Sequence, residues 1–364
     1  PPGRSRRVSR SGPTRTAGVD WEAVTASLQT SPENQFDVDA ALTPSDTPKL
    51  PFELDVQGGY AEDFLQYDLS ALSVRRGPVH WQLEGPTQLQ FRDGIGVEGL
   101  TLVDGRQRLA LDGVYRASGR NDMNADIDDL DLEDLARLTD VFGVPSLSGR
   151  LSTELDLEGT ARRPEVQLTA AIDGGRLNEW GPVDAELAAD YSDRTFGISN
   201  LDVRLGTQTL ATLTLQLPVD ATLGGQFDLL WRRTGSVTLK MPTFDLAEAI
   251  ESIGGRSVDA IDGLAEGRLQ MSGPLVGPEF SGRIALEDVT FQGSIAGTSV
   301  DIDRFGLTSS IGWEGADAER TFTFDTRARW RNETIFRANL DTSVPLQAWL
   351  TDIYTGRKDV DWFE

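Results

Sequence analysis

The sequence predicts an all-β protein: an elongated antiparallel sheet built from repeats, with a few short helices. Three observations predict it. Short runs in which apolar and polar residues alternate fill most of the chain from Leu54 onward, and period-two alternation places every second side chain on one face of a strand. Gly, Pro, Asn and Asp punctuate these runs where hairpins need turns. One plan of turn and strand residues also recurs 114 residues later: Asp131 matches Asp245, Leu132 matches Leu246, Gly149 matches Gly263, Leu155 matches Leu269, Gly159 matches Gly273, Pro164 matches Pro278 and Glu165 matches Glu279. An offset held across glycines, a proline and leucines marks a repeated architectural unit.

Taken in order, residues 1–17 are rich in Arg, Ser, Pro and Gly and read as a linker, with contact to anionic lipid head groups as the sharper alternative. Residues 19–28 read as a short amphipathic helix capped by Asp20 and stopped by Pro32. Half-buried antiparallel strands follow at 79–83, 89–91, 97–103, 109–115, 147–159 and 166–172. More are expected at 183–191, 201–205, 227–231, 280–286, 307–313, 322–330 and 336–340. Helices are expected to open at Asp131 and Asp245, each with a carboxylate three residues on, Asp134 and Glu248, as in a capping box. Weaker openings at Asp20 and Asp361 give successive intervals of 111, 114 and 116 residues. The division is therefore 1–53 as linker and short helix, then repeat units at 54–130, 131–244 and 245–364. Leu155 and Leu269 should share one concave face, and the two helices should sit at matching positions.

Acidic residues outnumber basic ones 58 to 34, giving a formal charge of −24, which disfavours binding to a phosphate backbone, so nucleic acid is not an expected partner. There is no cysteine, which removes disulfides and thiolate chemistry together. No apolar run is long enough for a membrane helix, and the first residue is proline, so the chain reads as an internal piece of a longer protein.

Catalysis finds little support. The single histidine, His80, lies in an alternating strand with no nucleophile near it in sequence. Residues 94–99, Gly-Ile-Gly-Val-Glu-Gly, match the dinucleotide fingerprint, but a strand rather than a helix is expected after them, so they read as a turn. Residues 122–134 hold seven carboxylates without the glycine-centred loop of a calcium site, and read as an acidic loop at a helix start. No enzyme, cofactor or metal is expected. In the central unit Leu151, Leu155, Leu157, Val166, Leu168, Ala170 and Ile172 fall on one side, and Arg150, Glu154, Asp156, Glu158, Gln167 and Thr169 on the other. Periodicity alone favours the closed core of a sandwich or solenoid for that apolar side.

The repeat resembles the recurring signature of the TamB family, within the AsmA-like superfamily of bridge-like lipid transfer proteins. The resemblance rests on residues 147–151, Leu-Ser-Gly-Arg-Leu, on 155–165, Leu-Asp-Leu-Glu-Gly-Thr-Ala-Arg-Arg-Pro-Glu, and on the alternating strand that ends in Asp173-Gly174-Gly175. Its second copy is 261–263 with 269–280, and it covers roughly residues 54–364. It implies a sheet curled along its length into an open, U-shaped trough, polar outside and apolar inside. It further implies a parent anchored in the bacterial inner membrane and spanning the periplasm, a conduit for phospholipids between the membranes that supports outer-membrane protein assembly. The outer-membrane barrel TamA, which is BamA-like, is the implied partner, through regions of the parent outside this segment.

On that reading the lining comprises Leu151, Leu155, Leu157, Val166, Leu168 and Ile172 in the central unit. Leu187, Leu201, Val203, Leu205, Phe227 and Leu229 extend it, followed by Leu269, Met271, Phe280, Ile284, Leu286, Phe322 and Phe324. Two alternatives stand beside it: a chaperone-like module that binds strands of outer-membrane proteins along its sheet edges, and a structural or adhesive solenoid with a dry core.

Overall fold

The computed structural model describes residues 4–16, 19–44, 51–139, 147–177, 180–225, 227–253, 258–295, 298–314, 320–331 and 333–344. It is nearly all antiparallel β-sheet with two short helices among the described residues. Two compact units are present: residues 1–178 with 222–224, and residues 179–221 with 225–364.

The first unit is a run of hairpins: β1 (Arg4–Thr16) is followed by β2 (Val19–Thr30), β3 (Gln35–Pro44), β4 (Phe52–Tyr60) and β5 (Gln66–Arg76), each of these four pairing with the strand before it. Next come β6 (Val79–Leu83) and β7 (Thr87–Gln90), which pair side by side with β5 and again with β8 (Ile95–Asp104). They are one strand's worth of pairing broken at Gly85-Pro86, where proline has no N–H for a ladder. The unit continues through β9 (Gln107–Tyr115), β10 (Arg120–Asp131), α1 (Leu132–Thr139), β11 (Leu147–Thr160) and β12 (Arg163–Leu177).

The second unit holds β13 (Trp180–Ser192), β14 (Thr195–Leu205), β15 (Gln208–Ala221), β16 (Phe227–Leu229), β17 (Thr234–Asp245), α2 (Leu246–Ile253), β18 (Val258–Pro274), β19 (Glu279–Ile295), β20 (Thr298–Glu314), β21 (Arg320–Trp330) and β22 (Glu333–Val344). Pairing follows chain order except at β15, which gives Thr212–Gln216 to β17 and Val219–Ala221 to the short β16.

Bulges keep one face apolar. At Val97/Leu100, Ile127/Leu130, Ile198/Leu201, Met241/Phe244 and Leu286/Val289 the strand advances three residues while its partner advances two. In a regular strand, residues three apart point to opposite faces; the extra bulge residue returns both members of each pair to the same face.

The 114-residue correspondence is structural. Asp131 and Asp245 each cap a helix: Asp131 Oδ1 accepts from Glu133 N–H at 2.8 Å, and Asp245 Oδ1 from Ala247 N–H at 2.7 Å. Gly149 and Gly263 have φ of 114° and 126°, and a Cβ on either would lie 2.7 Å from a backbone Cα, that of Gly175 or of Val289, so both places require glycine. Leu155 faces Ala125 and Leu168, and Leu269 faces Leu239 and Gly282, the same positions 114 residues on.

Several expectations are corrected. Residues 19–28 are strand β2, not a helix, and residues 4–16 are strand β1, not a linker. Val24, Ala26 and Leu28 lie in register with Leu42, Ala40 and Val38, and a ladder on both sides outweighs the local helical period. Residues 122–131 are strand β10 rather than an acidic loop, and β16 stops at Leu229 instead of running to 231. The boundary at 178/179 divides compact units and not repeats, so the repeat units expected at 54–130, 131–244 and 245–364 stand apart from it. The opening at Asp361 lies outside the described residues.

Replacing Asp131 with Ala removes about 1 kcal/mol of cap stabilisation, so amide hydrogen exchange in α1 should speed up about fivefold while α2 is unchanged. Unaltered exchange in α1 would contradict the capping account.

Candidate functional site

Alternation in register produces two chemically distinct faces. In the second unit one row crosses nine adjacent strands: Leu187, Leu201, Leu213, Leu239, Leu269, Gly282, Ile311, Phe324 and Leu340 are successive Cα partners from β13 to β22. None of the nine is buried, and Leu340 is 50% exposed. At about 4.8 Å per strand, such a row extends roughly 38 Å. On the other face Arg268, Arg283, Ser310, Asp325 and Asn339 form the neighbouring row.

The first unit shows the same contrast. Leu100, Leu111, Ala125, Leu155 and Leu168 form one row, with Leu157 between Met123 and Val166. Asp112, Asn124, Asp156 and Gln167 lie on the opposite face, where Asn124 Nδ2 donates to Asp156 Oδ1 at 2.8 Å.

Each helix closes one end of the apolar face in its own unit. Val79, Trp81 and Leu130 are buried there, with Leu102, Leu109, Leu151 and Leu135 of α1 packed against them. Arg76 is buried on this face, its guanidinium 4.7 Å from the centre of the Phe52 ring and its Nη1 donating to the Arg137 carbonyl near the C-terminal end of α1, where a cation complements the helix dipole. In the second unit α2 packs on β13, β14, β17 and β18, and Thr207 Oγ1 donates to Glu248 Oε1 at 2.9 Å.

The capping boxes do not close as the sequence suggested. Gln107 Oε1 accepts from the Asp131 N–H at 2.8 Å and Gln208 Oε1 from the Asp245 N–H at 2.6 Å, so a glutamine at the start of an earlier strand takes the place expected for Asp134 and Glu248. Asp134 Oδ2 instead accepts from Gln107 Nε2 at 2.9 Å.

The predicted lining residues separate into groups. Leu155, Leu157, Val166, Leu168 and Ile172 are half-buried on the apolar face of the first unit, and Leu187, Leu201, Val203, Leu269, Met271, Phe280, Leu286 and Phe324 on that of the second. Ile284 is there too, 53% exposed. Leu151 joins the closed cluster beside α1, and Leu205, 1% exposed, lies two residues before the Thr207 that bonds to α2, so neither is open lining. Phe227, 65% exposed, and Leu229 belong to β16, which pairs beyond the β15–β17 ladder, and they are off the row. The Phe322 side chain lies outside the described residues. Leu213, Leu239, Ile311 and Leu340 complete the row and were not singled out, although residues 212–217, Thr-Leu-Thr-Leu-Gln-Leu, carry the period-two signal for Leu213.

Other candidates settle into the sheet. His80 lies in β6 with Nε2 3.0 Å from Ser73 Oγ, and its backbone N–H donates to Asp104 Oδ2 at 2.7 Å. The glycine fingerprint leads into β8 and no helix follows it. No group of three or more potential metal ligands is assembled among the described residues, and no helix there is long and apolar enough to cross a membrane. Comparison with protein-family models, curated proteins and solved structures gives no match to this chain.

On the polar face Ser27, Asp39, Asp55 and Ser73 face one another across four strands. Burial, the hydrogen bond with Asp39 and the charges of Asp39 and Glu53 raise the Asp55 carboxyl above its ordinary value of 3.8, opposed by Arg75. A raised folded-state pKa means that the charged form opposes folding, and that the opposition disappears as pH falls through it. Asp55→Asn should therefore melt higher than the parent at pH 7, with the difference closing below the unfolded value of 3.8. A gap that widened on acidification would contradict this assignment.

Proposed function

We propose that the apolar face carries acyl chains, and that the chain is a segment of a TamB-like periplasmic bridge conducting phospholipids between inner and outer membranes and supporting outer-membrane protein assembly. The observation that carries the reading is the nine-strand row from Leu187 to Leu340, none of it buried. A dry-core solenoid would close such a row by packing it against another layer. In the first unit the closed cluster on this face, Val79, Trp81 and Leu130, lies beside α1, apart from the row.

Acyl chains suit this surface physically. Burying one CH₂ is worth about 0.8 kcal/mol, so laying half of a 16-carbon tail along the row gains about 6 kcal/mol without a directional bond. A lining of similar aliphatic residues holds a tail without fixing its position, which suits conduction better than storage. The polar row on the opposite face keeps that side hydrated. The TamB resemblance of the repeat supports the same assignment and adds the barrel TamA as a partner through other parts of the parent.

Photocrosslinking residues placed at Leu155, Leu168 and Leu269 should capture phospholipid in cells, whereas placement at Glu154, Gln167 and Gln270 should not. Adjacent residues point to opposite faces, so each strand supplies its own control for expression and membrane proximity. Equal capture from both faces, or none from the leucines, would overturn the reading.

A further inference from the structure

The turn edge of the first unit carries an exposed aromatic patch that the acyl-chain reading does not use. Three turns meet there, at residues 31–34, 61–65 and 91–94. Phe36 and Tyr67 stand edge to face at 6.1 Å between ring centres, Tyr67 and Phe91 at 5.9 Å, and Tyr60 and Phe64 stack at 4.9 Å. Phe64 is 59% exposed, Ile95 48% and Phe91 43%.

The patch is held in place at a conformational cost. Phe64 has φ of 57°, a left-handed backbone that a bulky side chain adopts only under constraint. The constraints are visible. The Phe64 N–H donates to the Ala61 carbonyl at 2.9 Å, and the Phe91 N–H to the Leu65 carbonyl at 2.8 Å. Asp63 Oδ1 accepts from the Leu65 N–H at 3.1 Å, and Asp63 Oδ2 meets Arg92 Nη2 at 2.7 Å. The Tyr60 N–H donates to the Asn34 carbonyl at 2.9 Å, tying in the third turn. Strain spent on presenting a ring to solvent, rather than hiding it, points to recognition.

Charge selects the class of partner. Glu33, Glu62 and Asp93 occupy these same turns as exposed carboxylates with no ion-pair partner among the described residues; of the two arginines near them, Arg92 is paired with Asp63, and Arg116, whose side chain lies against Gly94, donates to the Arg120 carbonyl, so the carboxylates outnumber the cations. A rim with this balance repels anionic bilayers and a second copy of itself. It complements cations.

We infer that this rim is a docking surface for a protein segment in which apolar side chains, seated on Phe64 and Phe91, are flanked by Lys or Arg. The probe is a short fluorescein-labelled peptide with a Leu-Leu pair flanked by lysines, compared with its glutamate-flanked counterpart and with vesicles of phosphatidylcholine and of phosphatidylglycerol. The chain should bind the lysine peptide at least about tenfold more tightly than the glutamate peptide. Phe64→Ala and Phe91→Ala should each weaken it by about tenfold or more, as for a truncated aromatic anchor. Phe64→Gly, which relaxes the backbone while removing the ring, and the doubly substituted Glu33→Lys/Glu62→Lys chain, which leaves every ring in place, should lose the peptide while keeping the parent's far-ultraviolet circular dichroism. Ile335→Ala, at a 56% exposed residue of the second unit, should leave binding unchanged. Equal binding of the two peptides, loss on Ile335→Ala, insensitivity to the Phe64 and Phe91 changes, or flotation with vesicles that depends on Phe64 would each overturn the inference.

Discussion

Register is the constraint on which the rest of this structure depends. In an antiparallel ladder a slip of one residue moves every side chain to the other face, so a continuous apolar row exists only if all the pairings agree. Five places with apolar residues three apart threaten that agreement, and at each one a bulge absorbs the extra residue and restores the face. The row from Leu187 to Leu340 therefore depends on irregularities as much as on regular strands. A perfectly regular ladder would have put Leu201 opposite in sense to Ile198, and Phe244 to Met241.

The helices depend on the same register. Asp131 and Asp245 end strands whose bulges lie just upstream, and each cap is completed by a glutamine, Gln107 or Gln208, at the first residue of an earlier strand. Strand order thus fixes where each helix begins and which end of the apolar face it closes. In the first unit Arg76 adds a tie from the sheet to the last turn of α1. One stretch of apolar face is thereby dry and structural, at Val79, Trp81 and Leu130, while Leu155 and Leu168 remain half-open beyond it.

Much of this was legible in the sequence, and the limits have physical causes. Alternation identified the strands, and the 114-residue offset pointed to matching places for Leu155 and Leu269, whose register partners are indeed 114 residues apart, because bulge glycines such as Gly149 and Gly263 tolerate no substitute. Residues 19–28 were misread because Val24 and Leu28 satisfy helical spacing as well as strand spacing, and only pairing with β1 and β3 decides between them. Phe227 was misassigned because alternation says which face a residue takes within a strand, not which strand it pairs with. The roles of Gln107, Gln208 and Arg76 depend on contacts between distant segments, which no local pattern carries.

What makes the apolar face a working surface, in this account, is that it stays open to a mobile apolar ligand. The most direct test is mass spectrometry of lipid carried by the purified chain, extracted from a bacterial periplasm and set against a chain in which Leu201, Leu213 and Leu239 are replaced with Asn. The account predicts phospholipid on the parent chain and its loss from a variant that keeps the parent's strand content. A parent chain that carries no lipid, or a folded variant that carries as much, would contradict it.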